Sequence, residues 1–364
     1  MKQALLFMSF IFVFFSVNAT VRTVSNVPAN LAQYNTIQAA VDASSNGDTV
    51  YVHGSPNQYP FFQIADKKVV VIGPGWSPDK NLPFQAIVQG CYLINNNSAG
   101  DVAGSELQGL VFSSAVELAT SNAALGTSNV RVIRCQFSSS VNISYSSTGF
   151  LFEGNLFLSS VSFNGGYTYS NVLFQNNIFH GNQGYIVYSI GGLTNCVNIR
   201  FDHNLFYGDG ATGGAPAFGS NCRFLTLTNN IFNERNPASG LSFSTFNNNI
   251  TYNCSASGDT AWIRNSNVDA GGNIAAQNPQ MADQATVDVG TLNPLLNFTI
   301  AAGPANNSGT DGKDLGLMYD PTGALNWVNS RNSRLPRLYS MNIINPTIAP
   351  GGTLNVSVNA RKSN

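Results

Sequence analysis

Six short runs along the chain share one alternation of apolar and polar positions. They read VRVIRCQF (130–137), FLFEGNLF (150–157), VLFQNNIF (172–179), IRFDHNLF (199–206), LTLTNNIF (225–232) and STFNNNIT (244–251). Their last residues, Phe137, Phe157, Phe179, Phe206, Phe232 and Thr251, are 20, 22, 27, 26 and 19 positions apart. LQGLVF, ending at Phe112, stands 25 positions upstream of Phe137 as an earlier member. A ragged period of this size is about one β-solenoid coil. Within the runs, Val132, Phe152, Phe174, Phe201, Leu227 and Phe246 share a parity with Val130, Phe150, Val172, Ile199, Leu225 and Ser244. Both sets therefore leave one face of a strand and stack from coil to coil into an apolar column. The intervening residues face outward: Arg131, Leu151, Leu173, Arg200, Thr226 and Thr245, then Ile133, Glu153, Gln175, Asp202, Thr228 and Asn247.

Next in each run comes a shared slot: Cys135, Asn155, Asn177, Asn204, Asn230 and Asn249. Asn tolerates the left-handed backbone of a tight corner, and stacked copies can pass amide hydrogen bonds between coils. The slot is thus expected to be an Asn ladder at a corner, and the apolar residue and Phe after it to open a second sheet. Leucine-rich repeats have a similar period but need Leu-x-x-Leu-x-Leu and a helical segment per repeat. Here the intervening stretches, such as SSVSFNGGYTYS, read as further short strands and turns. One helix is expected near the start, in NTIQAAVDASSNGD, with Ile37, Ala40 and Val41 on one face. Placed before the first strand, TVYVHG, it would cover the open end of the solenoid, which exposed repeats require. After residue 324 the pattern changes. SMNIINPTIAPGGTLNVSVNARKS has two alternating runs around Pro350-Gly351-Gly352 and predicts a hairpin or paired strand.

These features support a resemblance. YNTIQAAVDASSNGDTVYV at 34–52 resembles the opening of secreted right-handed parallel β-helix proteins of the pectin-lyase-like class. AAGPANNSGTDGKDLGL at 301–317 is similar to the segment that closes the helix in bacterial members. The resemblance spans about 34–320 and implies an all-β, right-handed parallel β-helix with a short N-terminal capping helix and a β-rich C-terminal cover. The fold hosts lyases, hydrolases, epimerases and adhesins, so activity must be argued from a site.

Composition then narrows location and partners. The chain has 364 residues, 17 Lys and Arg against 18 Asp and Glu, and only 10% charged residues. Near-neutral charge gives no basic footprint for nucleic acid. Lys2, the apolar stretch from Ala4 to Phe15 and Val17-Asn18-Ala19 have the form of a signal peptide cleaved near Ala19. No later stretch is apolar enough for a membrane span. The expected organisation is a signal peptide at 1–19, a β-helix domain at 20–320 and a capping segment at 321–364, in a protein that is secreted or periplasmic. The five cysteines, Cys91, Cys135, Cys196, Cys222 and Cys254, match no zinc spacing. Cys196 and Cys222 each stand eight positions before their slot Asn, so stacked coils would bring them within disulfide range, as the candidate pair. Asn142, Asn249, Asn297 and Asn355 lie in Asn-x-Ser/Thr triplets, which chance explains in so Asn-rich a chain.

The candidate chemistry gathers on the outward column: Glu153, Gln175 and Asp202, with Arg200 on the same face. FDH at 201–203 resembles the Ile-Asp-His hallmark of one pectate lyase family, and LTLTNNIF the strand that follows it. That resemblance implies calcium-dependent β-elimination, with an arginine as base and acids holding calcium. The sequence departs from it: Ile199-Arg200 replaces a Trp-containing stretch, no acidic cluster is present, and RLPRL at 334–338 has the wrong spacing for the family's arginine strand. Consecutive strand residues point to opposite sides, so Asp202 is not expected to orient His203. His203 is expected to be a corner residue between Asn176 and Asn229. Glu153 and Asp202 stand two coils, about 10 Å, apart. That is wider than the roughly 6.5–9.5 Å of an inverting glycosidase pair. Arg131 and Arg200 are three coils apart and suit successive units of a long anionic polysaccharide. The outward Leu151 and Leu173, with Tyr145, Tyr167, Tyr169, Tyr185 and Tyr188, point to a surface that meets sugar rings, a loop or a partner.

The residues thus indicate a secreted, polysaccharide-binding or polysaccharide-associated β-helix, with no catalytic residue and no metal site identified. Calcium belongs only to the alternative of a polysaccharide lyase or glycoside hydrolase acting near Asp202. A cell-surface adhesion or structural protein is the third reading.

Overall fold

The computed structural model describes residues 19–76, 84–96, 101–120, 125–180, 187–190, 193, 195–208, 210, 215–219, 221–237, 239–255, 261–291, 296–318, 336–343, 353 and 356–362. The expected signal peptide falls almost wholly outside them, as do Tyr185, Asn355 and the Pro350-Gly351-Gly352 turn. The chain winds into a parallel β-solenoid with three long faces. Among the described residues these are sheets of 13, 8 and 6 strands, and every strand pair within them is parallel.

The first sheet carries the alternating runs in the expected register. Val132 lies opposite Phe152, Phe152 opposite Phe174, Phe174 opposite Phe201, Phe201 opposite Leu227 and Leu227 opposite Phe246. The column is fully buried, and its central rings stack face to face at 4.4 Å and 4.5 Å for Phe152–Phe174 and Phe174–Phe201. The second sheet repeats this with Phe112, Phe137, Phe157, Phe179, Phe206 and Phe232, whose successive centroids lie 5.3, 5.1, 4.8, 4.6 and 4.8 Å apart. Coil spacing fixes ring spacing here. A residue of one type repeated at one register position in a parallel stack must meet its own copy about 4.8 Å away.

The corner between these sheets departs from expectation in one respect. The left-handed residue is the one before the slot Asn: Arg134, Asn176, His203, Asn229 and Asn248 have φ of 53, 56, 53, 59 and 49°. Gly109 and Gly154 hold the same place at 61° and 66°. A Cβ on Gly109 would stand 2.6 Å from the Gly73 carbonyl, so that coil needs glycine for space as well as for φ. The slot Asn that follows is fully buried. The Nδ2 of Asn155, Asn177, Asn204, Asn230 and Asn249 donates to Oδ1 of the next member at 3.0, 3.0, 3.0, 2.9 and 3.0 Å. Each also donates to a main-chain carbonyl of the preceding coil, such as Phe174 for Asn204. Asn273 ends the series, and the Asn-Ile pair of GGNIAAQ was its unread signal. Asn249 is too buried to accept a glycan.

The helix is present as Ile37–Ala43, with Thr36 accepting from Ala39 N as its N-cap and Ile37, Ala40 and Val41 buried. The first strand is Val21–Val24, upstream of the helix, and pairs with Thr49–Val52. Asp48 ties this end together, accepting from Thr20 N at 2.8 Å, Ser45 N at 2.9 Å and the Arg22 guanidinium at 3.2 Å. In the tail, Pro336–Ile343 and Val356–Lys362 pair antiparallel, in keeping with the expected hairpin or paired strand.

The outward side of the second sheet is covered, which the pattern alone did not predict. Val111, Leu156, Ile178, Leu205, Ile231 and Ile250 are buried beneath Met281, Val287, Phe298, Ile300, Leu315 and Leu317. The segment 305–318 runs back along the corner as a strap. Ser308 O accepts from Asn248 Nδ2 at 2.7 Å, Thr310 N donates to Asn229 Oδ1 at 2.8 Å, and Met318 N donates to Asn176 Oδ1 at 2.8 Å. The stretch that resembled a closing segment is this strap.

Candidate functional site

The expected column exists in space. Glu153 lies opposite Gln175 and Gln175 opposite Asp202, while Arg200 pairs with Leu173 and Thr226. Register alone would make these four a surface cluster, but their side chains divide into two groups.

Asp202 turns to the corner. Its Oδ1 lies 3.0 Å from His203 Nδ1 and accepts from Asn229 Nδ2 at 3.0 Å, while Gln175 Nε2 reaches Oδ2 at 3.4 Å. The expectation that Asp202 could not orient His203 is therefore corrected. Opposite projection holds for consecutive residues of an extended strand, and His203, at φ 53°, has left the extended region. His203 is 2% exposed, and its Nε2 lies 3.6 Å from Asp311 Oδ1 on the strap. The imidazole is thus held between a carboxylate of the coil and one of the strap, with neither ring nitrogen facing solvent. Asn229 completes the joint by donating to Thr310 Oγ1 at 3.1 Å. With Asp202 half-buried and engaged by three side chains, and His203 buried between it and Asp311, the pair forms a fastening for the strap, which a substrate would have to displace to reach the imidazole.

Glu153 stands beside Arg134, the left-handed residue of the preceding coil. Burial lowers the Arg134 guanidinium from its ordinary value, and the charge of Glu153 opposes that shift. Arg131 pairs with Glu106 at 3.1 Å. Arg200 is different: it is exposed, and among the described residues no hydrogen bond or ion pair engages it. Around it on the same outward face lie Leu173, Thr226 and Thr245, all half-buried, with Thr226 and Thr245 adjacent in register.

One further expectation is corrected. Tyr169 is not on the surface: it is fully buried, and its hydroxyl donates to the carbonyls of Ile143 and Asn164. Tyr145 and Tyr167 do reach the periphery and meet edge to face at 4.9 Å. Cys196 and Cys222, the candidate pair, stand unlinked in the structure. Cys222 sits in a turn closed by its own N–H to Gly219 O, and its Sγ is directed at Val187 O on the third sheet. Burial pushes the Cys135 thiol up to about 12 and Cys91 well above its ordinary value.

The third sheet carries a polar column that the reading of the first sheet passed over. Tyr92, Glu117, Asn142 and Ser162 are register partners on its outward side. Asn142 Nδ2 donates to Glu117 Oε1 at 2.6 Å, Ser144 Oγ to Oε2 at 2.9 Å, and Ser162 Oγ to Asn142 Oδ1 at 2.6 Å. The signal was VEL, VNI and VSF at 116, 141 and 161, an alternation with the same spacings as the slot. Beyond it, an open cleft of about 370 Å³ is lined by Asp101, Thr127, Ser146, Thr148, Thr168 and Ser170, almost all hydroxyl groups. Among the described residues no group of three His, Cys, Asp or Glu side chains could hold a metal ion.

No protein-family model matches the chain. No curated protein matches it either. Among solved structures it is similar to the crystal structure of pectate lyase Pel9A, with 14% sequence identity, 83% of this chain and 96% of that chain covered, and a TM-score of 0.46.

Proposed function

We propose that this protein binds polysaccharide along the outward face of its first sheet, centred on Arg200, after export from the cytoplasm. The observation that carries the reading is Arg200 itself: an exposed guanidinium with no described partner, on a flat parallel face beside half-buried Leu173, Thr226 and Thr245. An unpaired arginine is preorganised for a carboxylate or sulfate, and the hydroxyls on neighbouring strands supply further polar contacts to a linear chain. No helix among the described residues is long and apolar enough to cross a membrane. Amino-terminal sequencing of the exported protein tests cleavage near Ala19.

Binding is favoured over catalysis because the acids of the column are already engaged. Asp202 holds His203 and Asn229, and Glu153 neighbours Arg134. The test is a panel of neutral and acidic polysaccharides, measured by calorimetry and assayed for unsaturated products and new reducing ends, with and without calcium. The expected result is binding to an acidic member, weakened about tenfold by Arg200→Ala and by rising salt, without product formation. Turnover abolished by Asp202→Asn with folding intact would instead establish the lyase or hydrolase reading.

A further inference from the structure

A second left-handed row runs along the first sheet, on the edge where its outward face begins. It comprises Asn129, Gly149, Asn171, Asn198, Phe224, Phe243 and Ser266, with φ of 57, 70, 54, 57, 60, 50 and 63°. Asn and Gly are the residues expected in this conformation, and Asn198 donates across the row to Asn171 Oδ1 at 2.8 Å. Phe224 and Phe243 are not expected there, because a bulky residue at positive φ is a genuine outlier. Both rings are also out in solvent, 43% and 54% exposed, and they stack on each other at 5.9 Å with 29° between their planes. Neither packing nor backbone preference explains them. Two adjacent coils bear strain in order to display aromatic rings, and strain of this kind collects at ligand sites.

The neighbourhood specifies the ligand. Phe224 and Phe243 precede Thr226 and Thr245 by two residues, and Thr226 is the register partner of Arg200. Asn198, exposed, stands two residues before Arg200 on the adjacent coil, beside the exposed Val197. Rings, amides, hydroxyls and an unpaired cation thus share one edge of one face. An apolar protein partner would gain nothing from the cation and amides, and a simple anion nothing from the rings. A sugar ring has apolar C–H faces for the aromatics and hydroxyls for the amides. We infer that Phe224 and Phe243 form a stacking subsite for pyranose rings of the polysaccharide held by Arg200, so that the ligand runs along the solenoid axis over the coils of Asn198, Phe224 and Phe243.

This inference rests on the proposed polysaccharide binding, and the experiment separates the two. Phe224→Asn and Phe243→Asn install the row's own residue type, which relieves the backbone, so both variants should fold with a Tm equal to or above that of the wild type. Against the best-bound member of the panel, each should weaken binding about tenfold and the pair more. The salt dependence of binding should survive in these variants and diminish in Arg200→Ala. Phe243→Trp should bind at least as well as wild type. Undiminished binding by the double Asn variant, alongside binding by the wild type, overturns the subsite and leaves the proposed function standing. A wild type that binds no member of the panel overturns both. Loss of a self-associated species in the double variant, with binding unchanged, would mark the rings as a contact between copies and also overturns the subsite.

Discussion

Asn204 shows how much one side chain carries in a parallel stack. Its Nδ2 donates to Asn230 Oδ1 and Phe174 O, and its Oδ1 accepts the N–H and Nδ2 of Asn177. Asn204→Ala leaves several of these buried groups without partners, and each unsatisfied group costs about 1–3 kcal/mol. A loss of about 2–4 kcal/mol is expected in chemical denaturation, with partial relaxation keeping it below the full sum. The thiols give a second test. With Cys135 pushed up to about 12 and Cys91 well above its ordinary value, native alkylation at mildly alkaline pH should label the half-buried Cys254 first. Non-reducing peptide mass spectrometry should recover Cys196 and Cys222 unlinked; a linked peptide would contradict the geometry.

At the scale of elements, the N-terminal strand Val21–Val24 depends on Asp48. Burial raises that carboxyl, but donation from Thr20 and Ser45 and the Arg22 guanidinium outweighs it, and the net shift is downward. A carboxyl depressed in the folded state stabilises above its unfolded value and loses that contribution as pH falls through the folded one. The Tm advantage of wild type over Asp48→Asn should therefore be full at neutral pH and shrink below about pH 4. A constant difference across that range would exclude the assigned role. The stacked Phe columns are the complementary element. Phe174→Ala removes a ring that stacks on both Phe152 and Phe201, and a loss of about 3–5 kcal/mol is expected.

At the scale of the whole molecule, the strap joins coils far apart in sequence, from Asn248 through Asn229 to Asn176. With the preceding residues from Met281 to Ile300 it buries the outward apolar side of the second sheet, whereas among the described residues Arg200 on the outward face of the first sheet stays exposed. Asn229→Gly keeps the left-handed backbone while deleting the contacts to Thr310 and Asp202. It should raise amide exchange across 305–318 and leave the strands of the first sheet protected. Uniformly raised exchange would mean that the strap is not a separable unit.

Much of this architecture was legible in the chain. A parallel stack writes each column as a repeat, so the Phe rows, the Asn slot, the capping helix and the terminal hairpin could be read from parity and period. The third sheet was legible too, in VEL, VNI and VSF, but its outward column changes residue type from coil to coil, Glu117 to Asn142 to Ser162, and gave a fainter pattern. The candidate site was only half legible. Register placed Arg200, Asp202, Gln175 and Glu153 on one face, yet which side chains are occupied depends on residues distant in sequence. Asp202 is taken by Asn229 and by a histidine that a positive φ turns toward it, and that histidine meets Asp311 across 108 positions. The exposed Phe pair falls outside the repeated columns, and only the left-handed backbone at Phe224 and Phe243 shows the rings facing outward. The sequence by itself determined the coil, because repetition is local and written in one dimension. Only the tertiary structure decided which faces are covered and which groups remain available, because a returning segment leaves no periodic trace of where it lies.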